Sequence, residues 1–93
     1  MPYTVTRQRV GDYPGWRRAF EENADAREEA GSRGGHIFRT EDDRLDVVVF
    51  LAWSDLDDAR DYLEGEAVEE EVAEGEVEER ETLYLEELGR PNV

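Results

Sequence analysis

The longest apolar stretch of the chain runs from Asp46 to Trp53, DVVVFLAW. A β-branched and aromatic run of this length needs cover on both faces, which predicts a central strand. Tyr3–Val10 alternates, with Tyr3 and Val5 against Thr4 and Thr6, and predicts a strand with one wetter face. Gly11-Asp12 ends it: Asp12 fits a helix N-cap, and Pro14 falls in the first turn, where its missing N–H costs nothing. Tyr13, Trp16, Phe20, Asn23, Ala24 and Arg27 then gather on one side of a helix, while Arg17, Arg18, Glu21 and Glu22 occupy the other. Gly31 fits a left-handed C-terminal cap. Beyond Ser32-Arg33-Gly34-Gly35, the short alternation His36-Ile37-Phe38-Arg39 predicts an edge strand with His36 and Phe38 on one face and Ile37 and Arg39 on the other. Thr40 to Arg44 leads back by a hairpin loop, because the two strands lie too close in sequence for a crossover helix.

After the central run, Ser54 is placed to cap a helix, with Asp57 completing a variant capping box and Asp55 to Asp58 favouring the positive end of its dipole. Leu56, Ala59 and Leu63 share a face, with Tyr62 beside it. Gly65 breaks that helix, and Ala67, Val68, Val72 and Ala73 continue helical spacing as far as Gly75. The acidic run EAVEEEVAEGEVEERE reads as a solvated helix face followed by a loop, and Thr82 to Leu88 as the last strand. The order β-α-β-β-α-β defines an α+β, ferredoxin-like fold. Its four-stranded antiparallel sheet has the first and third strands in the middle, in a single domain over residues 1–93. Two helical layers on one face leave the other face of an apolar strand open. A second copy of the chain would cover it, which predicts a homodimer closed through the open sheet face into an α/β barrel.

Charge changes the picture next. The 26 Asp and Glu residues outnumber 11 basic ones, every basic residue is arginine, and the net charge is -15. Such a surface holds water and cations, and its self-repulsion is screened only in concentrated salt, where the Debye length at about 1 M is near 3 Å. This predicts a halophilic origin and a cytoplasmic protein. Nucleic acid is excluded as a partner because no basic patch exists to displace phosphate counterions. The absence of cysteine removes disulfides and thiolate metal sites. No segment has the roughly 18 apolar residues of a membrane span. Asp55, Asp57 and Asp58 lack the glycine and distal glutamate of a calcium loop, so no metal is expected.

Several pieces together resemble a known pattern. Val10-Gly11-Asp12-Tyr13 with Trp16 and Phe20, Gly31-Ser32-Arg33-Gly34, Phe38-Arg39, Val49 through Ala59, and Tyr84-Leu85-Glu86 are similar to the dimeric α/β-barrel superfamily, most closely its antibiotic-biosynthesis monooxygenase-like members. The segment Trp53-Ser54-Asp55-Leu56-Asp57-Asp58-Ala59 is the most specific part. The resemblance implies a cavity between sheet and helices that in some members holds a polyphenol or quinol while oxygen reacts without metal or flavin. In haem-degrading members a histidine follows an aromatic residue on the second helix. Here Tyr62 stands at the aromatic position but the histidine position falls near Val72, and the first strand has no asparagine, so a haem cofactor is disfavoured and none is expected.

Histidine is the side chain whose ordinary pKa, about 6.5, lies near neutrality, which makes His36 the candidate catalytic acid–base. Trp16, Phe38, Trp53, Tyr62 and Tyr84 are candidate walls of a site for a small aromatic ligand, and Arg39 a candidate anchor for its carboxylate or phenolate. Two functional classes follow: a cofactor-independent monooxygenase or isomerase, and a non-catalytic stress-related or scaffolding dimer.

Overall fold

The computed structural model describes residues 2–93. Its elements are β1 (Tyr3–Val10), α1 (Tyr13–Glu22), α2 (Ala24–Glu29), β2 (Ser32–Thr40), β3 (Asp43–Trp53), α3 (Leu56–Leu63), α4 (Glu66–Glu74) and β4 (Val77–Leu85). The strands form one antiparallel sheet in the order β2-β3-β1-β4, so the first and third strands are central. This is the α+β ferredoxin-like arrangement expected from the order of elements. Among the described residues, no helix is long and apolar enough to cross a membrane.

The register assigns each side chain to a face. Thr4 pairs with Leu51, Thr6 with Val49 and Gln8 with Val47, and all six are buried beneath the helices. The threonines are tolerated there because each has a partner. The Trp53 indole N–H donates to Thr4 Oγ1 at 2.9 Å, and the Thr6 and Thr82 hydroxyls lie 2.9 Å apart. Trp53 is 0% exposed and forms the core with Val10, Trp16, Phe20, Val47 and Leu51. Burying each of the larger apolar side chains contributes about 1.5–3 kcal/mol, so these residues dominate the stability of a small domain.

Where the boundaries differ from expectation, local chemistry explains them. The helical spacing after Tyr13 predicts one helix, but Asn23 interrupts it. Asn23 Nδ2 donates to Ala67 O at 3.1 Å and to Glu71 Oε2 at 2.8 Å, tying the break to α4. Asp12 caps α1 as expected, accepting from Gly15 N–H at 3.0 Å. The cap of α3 is Asp55 rather than Ser54: Asp55 Oδ1 accepts from Asp57 N–H at 2.7 Å and Asp58 N–H at 3.2 Å. The Ser54 N–H is already committed to Gly31 O at 2.9 Å. Gly31 takes the left-handed conformation its position called for, at φ 115°.

Three strands, β2, β3 and β4, are longer at their starts than the apolar pattern suggested. β4 begins at Val77 rather than Thr82 and stops at Leu85 rather than Leu88. Its charged first half pairs through backbone groups, Arg7 with Glu81 and Gln8 with Arg80, and charge is well suited to an exposed edge. β2 begins at Ser32 rather than His36, with a shift of register between Ser32 and Gly35. A Cβ on Gly35 would collide with the Phe50 carbonyl, so only glycine lets these backbones meet. The acidic hairpin loop shrinks accordingly, since Asp43 and Arg44 already belong to β3.

Among the described residues, the opposite face of the sheet has no cover. Phe38 there is 54% exposed and Leu83 50% exposed. Tyr3 and Phe50 stack beside them with ring centroids 5.0 Å apart, and Val5 and Val48 are only half-buried. The charges that border this surface are largely matched: Arg7 Nη2 meets Asp46 Oδ2 at 2.6 Å and Arg9 Nη1 meets Asp43 Oδ2 at 2.8 Å.

Candidate functional site

A small chamber, walled in part by Phe20, Val49, Leu51 and Leu63, lies between the sheet and the helices. Its volume is about 20 Å³, and its lining includes Gln8, Trp16, Arg27, Tyr62, Glu71 and Arg80. A chamber of that size has room for a single water and no more. Each element contributes for a visible reason. Trp16 lies on the buried stripe of α1, stacked on Phe20 at 5.0 Å. Arg27 of α2 sets its guanidinium 3.7 Å over the Phe20 ring and donates to Phe20 O at 2.9 Å. Tyr62 of α3 leans on Trp53 with centroids 5.8 Å apart.

Glu71 is the buried acid of α4, 7% exposed, placed one turn beyond Val68 on the inward stripe. Burial pushes its carboxyl upward from the ordinary range, while the Asn23 hydrogen bond and the charges of Arg27 and Arg80 oppose that rise. Burial also raises the Tyr62 phenol, reinforced by the charge on Glu71 and opposed by Arg27. Arg80 is lowered by burial of its stem, against the pull of Glu71 and Tyr84. Two buried donors in this region, Trp16 Nε1 and Tyr62 OH, have no hydrogen-bond partner among the described residues. Arg27 is near enough to favour the ionised phenol, yet its approach falls short of hydrogen-bond geometry.

Arg80 and Leu63 line both the chamber and an outer groove of about 410 Å³, whose other walls include Glu64, Val68, Glu69 and Val72. The anchor of Arg80 is weak, a single contact from Nη2 to Leu63 O at 3.4 Å.

The sequence candidates divide between the two sides of the sheet. Trp16 and Tyr62 line the chamber. Trp53 is packed in the core, and its N–H is spent on Thr4, so it supports Tyr62 rather than forming a wall of the chamber. Tyr84 lies on the helix side beneath Arg60, whose guanidinium carbon is 4.4 Å from its ring centre, outside the chamber lining. Arg39 is exposed on the edge strand opposite Val47. His36 and Phe38 do not point toward the helices. They pair with Phe50 and Val48 on the open face, with rings 5.7 Å apart, and β-strand alternation keeps them from the chamber. Gln8, Arg27, Glu71 and Arg80 were missed from the sequence. Only the spacing Val68, Glu71, Gly75 marks Glu71 as different from its neighbours in the acidic run. Among the described residues no group of His, Cys, Asp and Glu is arranged to hold a metal ion.

The linkage of Glu71 to stability gives a direct check. A carboxyl raised in the folded state contributes its stability below the unfolded pKa, about 4.3, and loses it as pH climbs through the folded value. Glu71→Gln keeps an oxygen for Asn23 and removes the titration. The melting temperature of Glu71→Gln minus that of the parent should therefore rise between pH 4 and pH 8, by about 4–8 °C for each kcal/mol lost by the parent. The constant effect on Arg27 and Arg80 cancels in that comparison, and a difference that is flat with pH would contradict the buried-carboxylate account.

The fold is that of a ferredoxin-like domain, and known structures share the architecture. SnoaB, a cofactor-independent oxygenase from Streptomyces nogalater, superposes with a TM-score of 0.76 at 18% identity, covering 99% of this chain and 97% of that one. A Deinococcus radiodurans protein assigned as an antibiotic biosynthesis monooxygenase gives 0.72 at 14% identity, covering 100% and 98%. Rv0793 from Mycobacterium tuberculosis gives 0.59 at 18% identity, covering 97% and 98%. At these identities the likeness establishes the fold. No family model and no curated protein matches the chain.

Proposed function

We propose that this chain binds a small aromatic molecule between its sheet and helices and acts on it as a cofactor-independent, monooxygenase-like protein. The observation that carries this reading is the chamber itself, an apolar-walled space into whose lining a buried carboxyl is set. A buried carboxyl, a buried arginine and two residues whose polar atoms lack partners line it, and leaving such groups unpaired costs stability. Entry requires Arg80 to swing away from Leu63, joining the chamber to the outer groove and enlarging it to ligand size. The likeness in fold to SnoaB supports the reaction class.

The working form in this reading is a homodimer closed through the open sheet face, which supplies the second cover that β3 lacks. The exposed Phe38 and Leu83, and the neutralised ion pairs beside them, support that face as the contact. A net charge of -15 carried with arginine as the only cation supports an origin in a salt-rich cytoplasm. The melting temperature should accordingly fall steeply as KCl is lowered from molar to millimolar, and a salt-independent melting curve would remove the halophilic part of the proposal.

Native mass spectrometry from concentrated ammonium acetate tests assembly and ligand together. The expected result is a dimer mass carrying a small retained molecule or taking up an added phenol; a monomer at micromolar concentration would sink the barrel. A dimer that binds no aromatic compound would favour a second reading, a non-catalytic stress-related or scaffolding module. The small volume of the chamber and the remoteness of His36 are the observations on its side.

A further inference from the structure

Of the 26 acidic residues in the chain, Glu71 is the one whose side chain is buried among the described residues. The acidic run around it offers solvent to every other carboxylate: Glu66, Glu69, Glu70 and Glu74 are all exposed. Glu71 instead takes one hydrogen bond, from Asn23 Nδ2 at 2.8 Å, and lines the chamber with its carboxyl. The groups that face it come from every surrounding element: Gln8 from β1, Asn23 from the α1–α2 junction, Arg27 from α2, Tyr62 from α3 and Arg80 from β4, with Glu70 beside it on its own helix.

The chemistry of that set is asymmetric. Trp16 Nε1 can only donate, Arg27 and Arg80 can only donate, and Tyr62 OH is free to do so. Glu71 is the one strong acceptor with capacity to spare. Donors without acceptors describe a place for an oxygen that carries negative charge, and a lone carboxylate beside that place describes where its proton goes. His36 cannot serve, because it projects from the far side of the sheet.

We infer that Glu71 is the proton acceptor of the chamber, taking the hydroxyl proton of a bound phenol whose oxygen is then held by donors of the lining, Tyr62 and Arg27 foremost. The inference rests on the ligand reading proposed above and names the residue that performs its first step. The phenol O–H bond breaks, a carboxyl O–H bond forms on Glu71, and the electron pair stays on the phenolate oxygen. The total charge of the chamber is unchanged, so Arg27 and Arg80 neutralise the ligand afterwards as they neutralised Glu71 before. The raised affinity of the buried carboxyl for a proton acts in the same direction.

The test uses the full chain and 4-cyanophenol, which is largely un-ionised in water at neutral pH and changes its ultraviolet absorbance when ionised. Binding is followed by absorbance and by calorimetry in two buffers of different ionisation heat. For the parent, the bound probe should absorb as phenolate while no net proton reaches the buffer. For Glu71→Gln, it should either bind un-ionised or ionise with about one proton released. Glu71→Asp serves as the second variant and should restore internal transfer at reduced affinity. If the parent binds the probe un-ionised, or releases a proton to the buffer just as Glu71→Gln does, Glu71 is not the acceptor although the ligand reading stands. If neither parent nor variant binds the probe, the ligand reading falls and the inference falls with it.

Discussion

On the proposed dimer, in which the parent pairs through its open sheet face, a double variant, Phe38→Asp with Leu83→Asp, is expected to run as a monomer with its circular dichroism spectrum intact. Both side chains stand at least half exposed on the open face, one on each edge strand, so the protomer's own core does not depend on them. At a two-fold interface the same patch is used twice, and each substitution buries two unpaired carboxylates. The effective cost of desolvating an unpaired charge is several kcal/mol, enough to move dissociation by several orders of magnitude. Sedimentation in molar KCl reads the outcome. An unchanged dimer mass would move the interface elsewhere, and a lost spectrum would mean that the face stabilises the protomer itself.

The second large effect falls on Trp53. Trp53→Ala removes a side chain with 0% exposure from the middle of the core, and such truncations cost about 3–5 kcal/mol. That is a large share of the roughly 5–15 kcal/mol by which a domain is stable, so the variant should unfold at a much lower urea concentration than the parent. Trp53→Phe separates packing from hydrogen bonding. It keeps most of the apolar volume but takes the indole donor from Thr4 Oγ1, an expected loss of about 1–3 kcal/mol. Thr4→Val added to Trp53→Phe should cost less than the two changes summed, because the second removes the group that the first left unpaired. Urea midpoints of the four chains measure the coupling, and strict additivity would show that the bond contributes nothing.

The architecture was legible because the periodicities were strong. The run Val47 to Trp53 could only be central, Asp12 and Gly31 punctuated the first helical segment, and Gly65 and Gly75 divided the second. Boundaries failed where backbone pairing outruns side-chain pattern, as at Val77 to Glu81, whose charged residues look like a loop yet complete the ladder with β1. Asn23 looked like one more residue of a helix because its role is set by partners on α4.

The chamber was harder to see. Aromatic residues attract notice in a sequence, which brought Trp16 and Tyr62 to light but also Trp53 and Tyr84, whose surroundings are those of packing. Glu71 was hidden by composition, since one inward acid among many outward ones carries no contrast until its face is known. His36 drew attention as the chain's single histidine, and the parity of β2 decided which side it took.

The position of β1 between β3 and β4 also sets an order of events. The strand made first is flanked on one side by the strand made last, with Tyr3 paired to Leu85 and the Asn23 contacts to α4 spanning 44 and 48 residues. The sheet is therefore incomplete, with one edge of β1 unsatisfied, until β4 docks, and contacts so distant in sequence slow that step.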